Sequence, residues 1–130
     1  MVHCLSKNAT MMFQSVMLVG LGGMIGSMAR YLVGYMFKTH SLPFGTLLVN
    51  LTGSLLIGFL MAKFAKQGIQ EEWRLFLVVG LCGGFTTLSA LSWENLQFLQ
   101  SGKYALFAGY ALITVIGGLL LAAGGYYLGK

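Results

Sequence analysis

The stretch Gly80-Leu-Cys-Gly-Gly-Phe-Thr-Thr-Leu-Ser-Ala-Leu-Ser-Trp-Glu94 decides how this chain is read. It sits inside an apolar segment long enough to cross a bilayer, yet it carries glycines, hydroxyls and an acid. Three glycines in five residues (Gly80, Gly83, Gly84) weaken a helix by about 1 kcal/mol each relative to alanine. Thr86 and Thr87 follow at once, with hydroxyls that can serve backbone groups freed by a break. Irregular backbone at membrane depth survives only where protein buries it or where it lines an aqueous cavity. The expectation is a third transmembrane helix interrupted at Gly83 to Thr86, with a kinked, continuous helix as the plainer alternative. Freed carbonyls at such a break can hold a cation, and the amino end of the next half-helix favours an anion.

The surrounding composition agrees with a membrane setting. Of 130 residues, 57% are hydrophobic and 8% charged, against roughly 25% charged in an average soluble domain. A helix needs about 20 apolar residues to span the hydrocarbon, and four segments qualify. They cover residues 12–37, 43–64, 75–99 and 104–128, joined by short connections, and form one transmembrane domain over residues 12–130. Residues 1–11 read as a polar N-terminal tail, with Met11 or Met12 as an alternative start. Lys7 followed by an apolar run imitates a signal peptide, but the run continues to Phe37, so it is read as a retained helix. The fold class is an all-α membrane protein with four spans, leaving no soluble domain.

The formal charge of +5 does not point to nucleic acid, because the cations are dispersed and such binding needs a clustered basic patch. Lys7, Lys38, Lys63, Lys66, Arg74, Lys103 and Lys130 stand singly between apolar stretches, as membrane-edge anchors do. Tyr31, Trp73, Tyr126 and Tyr127 fit the interfacial aromatic belt. With four spans, Lys7, Lys63, Lys66, Arg74 and Lys130 share one side and Lys38 and Lys103 the other. The positive-inside rule therefore leans towards cytoplasmic termini. The bias is small enough for both orientations to occur. Cys4 and Cys82 are far apart, and His3 and His40 are isolated. Neither a disulfide framework nor a zinc site is expected.

Intramembrane polar residues mark function or helix–helix contacts. Thr46 and Asn50 lie four apart on one face of the second span, and Tyr110 and Thr114 do the same in the fourth. Together with Arg30 and Glu94 they supply guanidinium, amide and hydroxyl donors, a lining suited to a small anion stripped of water. No nucleophile–base pair or second acid accompanies Glu94, so an enzyme is not expected. The residues by themselves lead to a small-anion channel or transporter.

Three segments resemble the Fluc (also called CrcB) family of fluoride channels. Gly22-Gly-Met-Ile-Gly26-Ser-Met-Ala-Arg30-Tyr31 is similar to its first-helix GGxxGxxxR pattern. Pro43-Phe-Gly45-Thr46-Leu-Leu-Val-Asn50-Leu-Thr-Gly53 resembles its second-helix PxGTLxxNxxG. Gly80 to Thr87, followed by Ser89, Ser92 and Glu94, resembles its third-helix signature. The resemblance implies an antiparallel, dual-topology homodimer in the lipid of the bacterial cytoplasmic (inner) membrane, exporting cytoplasmic fluoride passively. It implies a fluoride pathway through Arg30, Thr46, Asn50, Thr87, Leu88, Ser89, Leu91, Glu94, Tyr110 and Thr114. It also implies a structural sodium ion held by the main-chain carbonyls of Gly83 and Thr86.

One departure bears on conduction. The family's signature reads TTFSTFS, and this chain reads Thr86-Thr87-Leu88-Ser89-Ala90-Leu91-Ser92. Leucines replace two phenylalanines that line the pore, and a ring presents a positive edge to an anion where leucine presents none. Gly118 stands where a second fourth-helix hydroxyl is often found. The expectation is an intact fold with weakened fluoride conduction. The alternatives are a pore-degenerate membrane subunit and a small multidrug-type transporter, although the latter's acid belongs in the first helix, where this chain has Arg30.

Overall fold

A computed structural model describes residues 2–38, 42–68 and 70–130, with side chains from Thr10 onward. His40 and the side chains of His3, Cys4 and Lys7 lie outside what is described. The elements are α1 (Val2–Met36), α2 (Phe44–Gln67), α3 (Glu71–Arg74), a π-helical stretch (Leu75–Cys82), α4 (Gly83–Phe85), α5 (Leu88–Gln100) and α6 (Tyr104–Gly129). Residues 71–85 are one continuous half-helix, and α5 is the other half of the third span. Among the described residues, four helical segments are long and apolar enough to cross a membrane: Thr10–Met36, Phe44–Gln67, Glu71–Gln100 and Tyr104–Gly129. The molecule is a multi-pass membrane protein.

The boundaries differ from the sequence expectation in three places. α1 begins at Val2 rather than residue 12, since no proline or glycine interrupts residues 2–19. α2 runs to Gln67 and α3 starts at Glu71, so the expected loop from Ala65 to Arg74 shrinks to residues 68–70. Gly68 closes α2 at φ 58°, the left-handed position that glycine adopts without a Cβ penalty. The third span starts at Glu71 rather than Leu75, because Arg74 pairs back to Glu71 within the same turn.

The interruption falls at the carboxyl end of the expected Gly83–Thr86 segment and extends one residue beyond it. Gly80, Gly83 and Gly84 remain helical, and the extended residues are Thr86 (φ −79°, ψ 158°) and Thr87 (φ −152°, ψ 117°). Two of these glycines are spacers, not breakers. A methyl placed on Gly84 would lie 2.9 Å from the Gly23 Cα, and one on Gly80 2.8 Å from the Val19 carbonyl oxygen. From the facing helix, methyls on Gly22 and Gly26 would fall on the carbonyl oxygens of Phe76 and Leu81. Two small-xxx-small pairs, Gly22/Gly26 and Gly80/Gly84, thus bring α1 and the third span into backbone contact. In lipid this packing replaces the missing hydrophobic drive.

A second seam joins α2 to α6. A methyl on Gly58 would strike the Ala122 carbonyl, one on Gly125 the Leu55 carbonyl, and one on Gly129 the Phe59 carbonyl. Contacts advance together along both helices, from Leu51 against Gly117 to Ala62 against Gly129, so α2 and α6 run parallel. Their carboxyl ends therefore share one membrane side, as four crossings require.

These seams carry a prediction. Gly58→Ala should destabilise the protein by about 1–3 kcal/mol through backbone overpacking. Gly20→Ala, in α1 with open space around it, should leave stability unchanged or raise it. Thermal unfolding of the two variants in detergent checks the contrast, and equal melting points would contradict it.

Candidate anion site at the helix break

The break is held by side chains from α1 and α2. Asn50 lies one turn beyond Thr46 on α2, and its amide meets the Thr87 backbone twice. Its Oδ1 accepts from the Thr87 N–H at 2.8 Å, and its Nδ2 donates to the Thr87 carbonyl at 3.1 Å. Arg30, near the end of α1, donates from Nε to the Gly84 carbonyl at 3.0 Å. Gly53 makes the approach possible, because a Cβ there would occupy the place of the Thr86 methyl. The hydroxyls complete the arrangement. Thr86 Oγ1 donates to the Cys82 carbonyl at 3.0 Å, and Thr87 Oγ1 caps α5 by accepting from the Ala90 N–H at 3.3 Å.

This geometry redirects particular bonds. In an unbroken helix the Thr87 N–H would serve the Gly83 carbonyl, and the Ala90 N–H the Thr86 carbonyl. Here those N–H groups go to Asn50 Oδ1 and Thr87 Oγ1. The carbonyls of Gly83 and Thr86 are thereby released from regular helical pairing, while that of Gly84 is met by Arg30. Both released groups are neutral oxygen donors, the ligand type that hard cations take.

Farther along α5, Glu94 gathers two hydroxyls. Thr46 Oγ1 donates to its Oε1 and Tyr110 OH to its Oε2, both at 2.6 Å. Such short O–H···O⁻ contacts belong to the stronger hydrogen bonds. Thr114 Oγ1 donates to the Tyr110 carbonyl at 2.7 Å, and Phe98 meets the Tyr110 ring edge-on at 5.8 Å between centroids. The third, second and fourth spans are therefore tied together at one polar point.

A cleft of about 240 Å³ adjoins the break, lined by Asn50, Ser54, Ile57, Thr86, Thr87, Leu88, Leu91 and Thr114. Leu91 is buried at 6% exposure, while Leu88 is 74% exposed at the subunit surface. The two residues expected as a pair thus have different environments, because positions three apart on α5 diverge once its first turn leaves the subunit. Ser89 is also exposed, with its hydroxyl 3.1 Å from Thr87 Oγ1. Gly118 is explained by packing, since a Cβ there would lie 3.2 Å from Ser54 Oγ.

Of the ten expected pathway residues, the structure brings Asn50, Thr87, Leu88, Leu91 and Thr114 to one cleft. Thr46, Glu94 and Tyr110 form the neighbouring network. Arg30 stands apart: its Nε is bonded behind the break to Gly84, and it does not line the cleft. Sequence reasoning missed Ser54, which lines the cleft and donates to the Asn50 carbonyl at 2.7 Å. Its spacing of four from Asn50 was the available signal.

Replacing Asn50 tests the clasp. Asn50→Ala leaves a buried donor and a buried acceptor of Thr87 unpaired, at a cost of about 1–3 kcal/mol each. The expected readouts are a lowered melting point and faster amide exchange at Thr87; unchanged exchange would contradict the assignment.

Comparison with known proteins agrees along the whole transmembrane region. A family model described as "CrcB-like protein, Camphor Resistance (CrcB)" matches residues 17–126. A protein of Leptospira interrogans named "Fluoride-specific ion channel FluC" is 44% identical over 121 residues, covering 90% of this chain and 95% of its own. A Bacteroides fragilis protein of the same name is 39% identical, covering 90% and 97%. One from Granulibacter bethesdensis is 45% identical, covering 83% and 91%. The match takes in the Gly22/Gly26–Gly80/Gly84 seam, the second seam as far as Gly125, the Asn50 clasp and the Glu94 network, and the chain belongs to the CrcB family.

Proposed function

We propose that this chain is a fluoride-selective ion channel, not an enzyme, that lets cytoplasmic fluoride leave the cell passively through the bacterial inner membrane. Membership of a family whose curated relatives are named fluoride-specific channels supports this most directly. The chemistry at the break agrees. Fluoride is a strong hydrogen-bond acceptor, and a pore must offer donors in exchange for its hydration shell. Thr46 and Tyr110 present such donors, now satisfied by Glu94. An anion arriving between them takes over protons that the carboxylate holds in its absence.

The working unit in this reading is an antiparallel homodimer. The cleft that holds Asn50, Thr86 and Thr87 opens beside the exposed Leu88, and irregular backbone at membrane depth must be buried in protein or line an aqueous cavity. A second, inverted copy covers this face and completes the pathway, and the weak charge bias between the two membrane sides permits both orientations. A sodium ion fits the released carbonyls of Gly83 and Thr86, where it supplies a fixed positive charge at the break. The residues of this chain orient those oxygens by drawing the Thr87 and Ala90 N–H groups away.

Conduction is reduced relative to aromatic-lined members, because Leu88 and Leu91 offer no positive ring edge. A small multidrug-type transporter is disfavoured, since Glu94 stands in the third span, locked between two hydroxyls, and α1 holds no acid.

Fluoride efflux from vesicles should rise severalfold in the double variant Leu88→Phe/Leu91→Phe. Wild-type flux equal to that of the double variant would remove the argument for weakened conduction, and no flux in either would favour a pore-degenerate subunit. Sodium has its own readout. The melting point in detergent should be higher in sodium chloride than in N-methylglucamine chloride at equal ionic strength, and identical values would refute the ion's structural role.

A further inference from the structure

The α2–α6 seam ends in a basic rim above an apolar groove. The groove, about 360 Å³, is lined by Thr52, Leu55, Leu56 and Phe59 of α2 and by Gly125 and Leu128 of α6. At 3.6 residues per turn, Thr52, Leu55, Leu56, Phe59, Lys63 and Lys66 fall on one broad face of α2. Asn50, Ser54 and Ile57, which line the anion cleft, fall on the opposite face. The groove thus points away from the polar break.

Two cations stand at its end. Lys63 Nζ lies 5.6 Å from the Phe59 ring centroid, so it hangs directly over a groove-lining residue. Lys66 Nζ donates to the Lys130 main-chain oxygen, bridging the ends of both helices. Lys130 Nζ lies 5.0 Å from the ring centroids of both Tyr126 and Tyr127, on the side of α6 turned away from Gly125 and Leu128, so its ammonium is not part of this rim. By helical rise, Lys63 and Lys66 stand about 6 and 10 Å beyond Phe59 towards the membrane edge. The acids near this membrane side do not neutralise the rim. Glu71 is paired with Arg74, and Glu72 lines a separate groove with Phe13 and Leu21 of α1.

Apolar walls ending in two cations on the same face of α2 match one chemistry: an acyl chain topped by an anionic phosphodiester headgroup. We propose that the α2–α6 groove is a binding site for an anionic phospholipid. One chain lies along Thr52 to Phe59, and its headgroup is held by Lys63 and Lys66. Lysines near helix carboxyl ends also offset the helix dipole, but that role requires neither the groove beneath them nor their shared face on α2. The site is independent of the fluoride reading, since it uses none of the break residues.

The test is lipid retention by the purified full chain in mixed micelles of phosphatidylglycerol and phosphatidylcholine, counted by native mass spectrometry. The wild type should retain phosphatidylglycerol at least about tenfold over phosphatidylcholine, each single Lys→Gln change at 63 or 66 should lower the preference by about fivefold, and the double variant should reach parity. Lys130→Gln, on the other face of α6, should leave the preference unchanged. Leu56→Trp, which fills the groove and leaves the lysines in place, should reduce phosphatidylglycerol retention. Equal retention of the two lipids by the wild type, or a preference that survives the double change, overturns the site. So does efficient crosslinking between copies through Leu56→Cys in a Cys4→Ser background, which would make this face a protein interface. The lysines are surface groups, so unchanged melting points of the single variants separate lost lipid binding from lost folding.

Discussion

Everything at the centre of this protein depends on one amide. A backbone that leaves helical geometry inside a membrane must find partners within the protein, because lipid offers none. Asn50 supplies both a donor and an acceptor to Thr87, the residue at which the third span departs furthest from helix. A hydroxyl or a carboxylate could not replace it, since only a primary amide offers both functions in this planar arrangement. Arg30 performs the complementary task from α1 by meeting the Gly84 carbonyl. The carbonyls of Gly83 and Thr86 lose the N–H partners that an unbroken helix would give them.

Such a clasp works only if the helices around it come very close. The two glycine seams provide that closeness, one between α1 and the third span and one between α2 and α6. Gly53 adds the local vacancy that admits Thr86. The energetic logic is that of membrane packing, in which backbone contact and shape replace the hydrophobic effect. Glu94, fastened to Thr46 and Tyr110, joins α5 to both helices of the second seam. Architecture and candidate pathway therefore share residues, and few of the polar groups serve one purpose alone.

Much of this was legible in the sequence, for physical reasons that can be named. Apolar length fixed the four spans, and i,i+4 spacing placed Thr46 with Asn50 and Tyr110 with Thr114. The clustered glycines correctly announced an interruption in the third span, which includes Thr86 as expected, but set its start too early at Gly83, because a low helix propensity and a need for close approach leave the same residue. Only the facing backbone of α1 distinguishes them. The π-helical stretch Leu75–Cys82 had no signal at all, since its apolar residues suit either register. Arg30 read as a pathway residue by its charge, yet its Nε reaches a carbonyl behind the break. Leu88 and Leu91 looked equivalent in one dimension, and only the direction of α5 separates an exposed position from a buried one.

Fluoride permeation links these parts: a break that releases backbone carbonyls, hydroxyls that can exchange a carboxylate for an anion, and a polar cleft that opens beside the exposed Leu88. The most direct measurement is anion efflux from vesicles containing the purified protein, followed with fluoride- and chloride-selective electrodes. The account predicts fluoride efflux above that of protein-free vesicles, with chloride efflux at the protein-free level. Equal release of both anions, or fluoride release no faster than from empty vesicles, would contradict it.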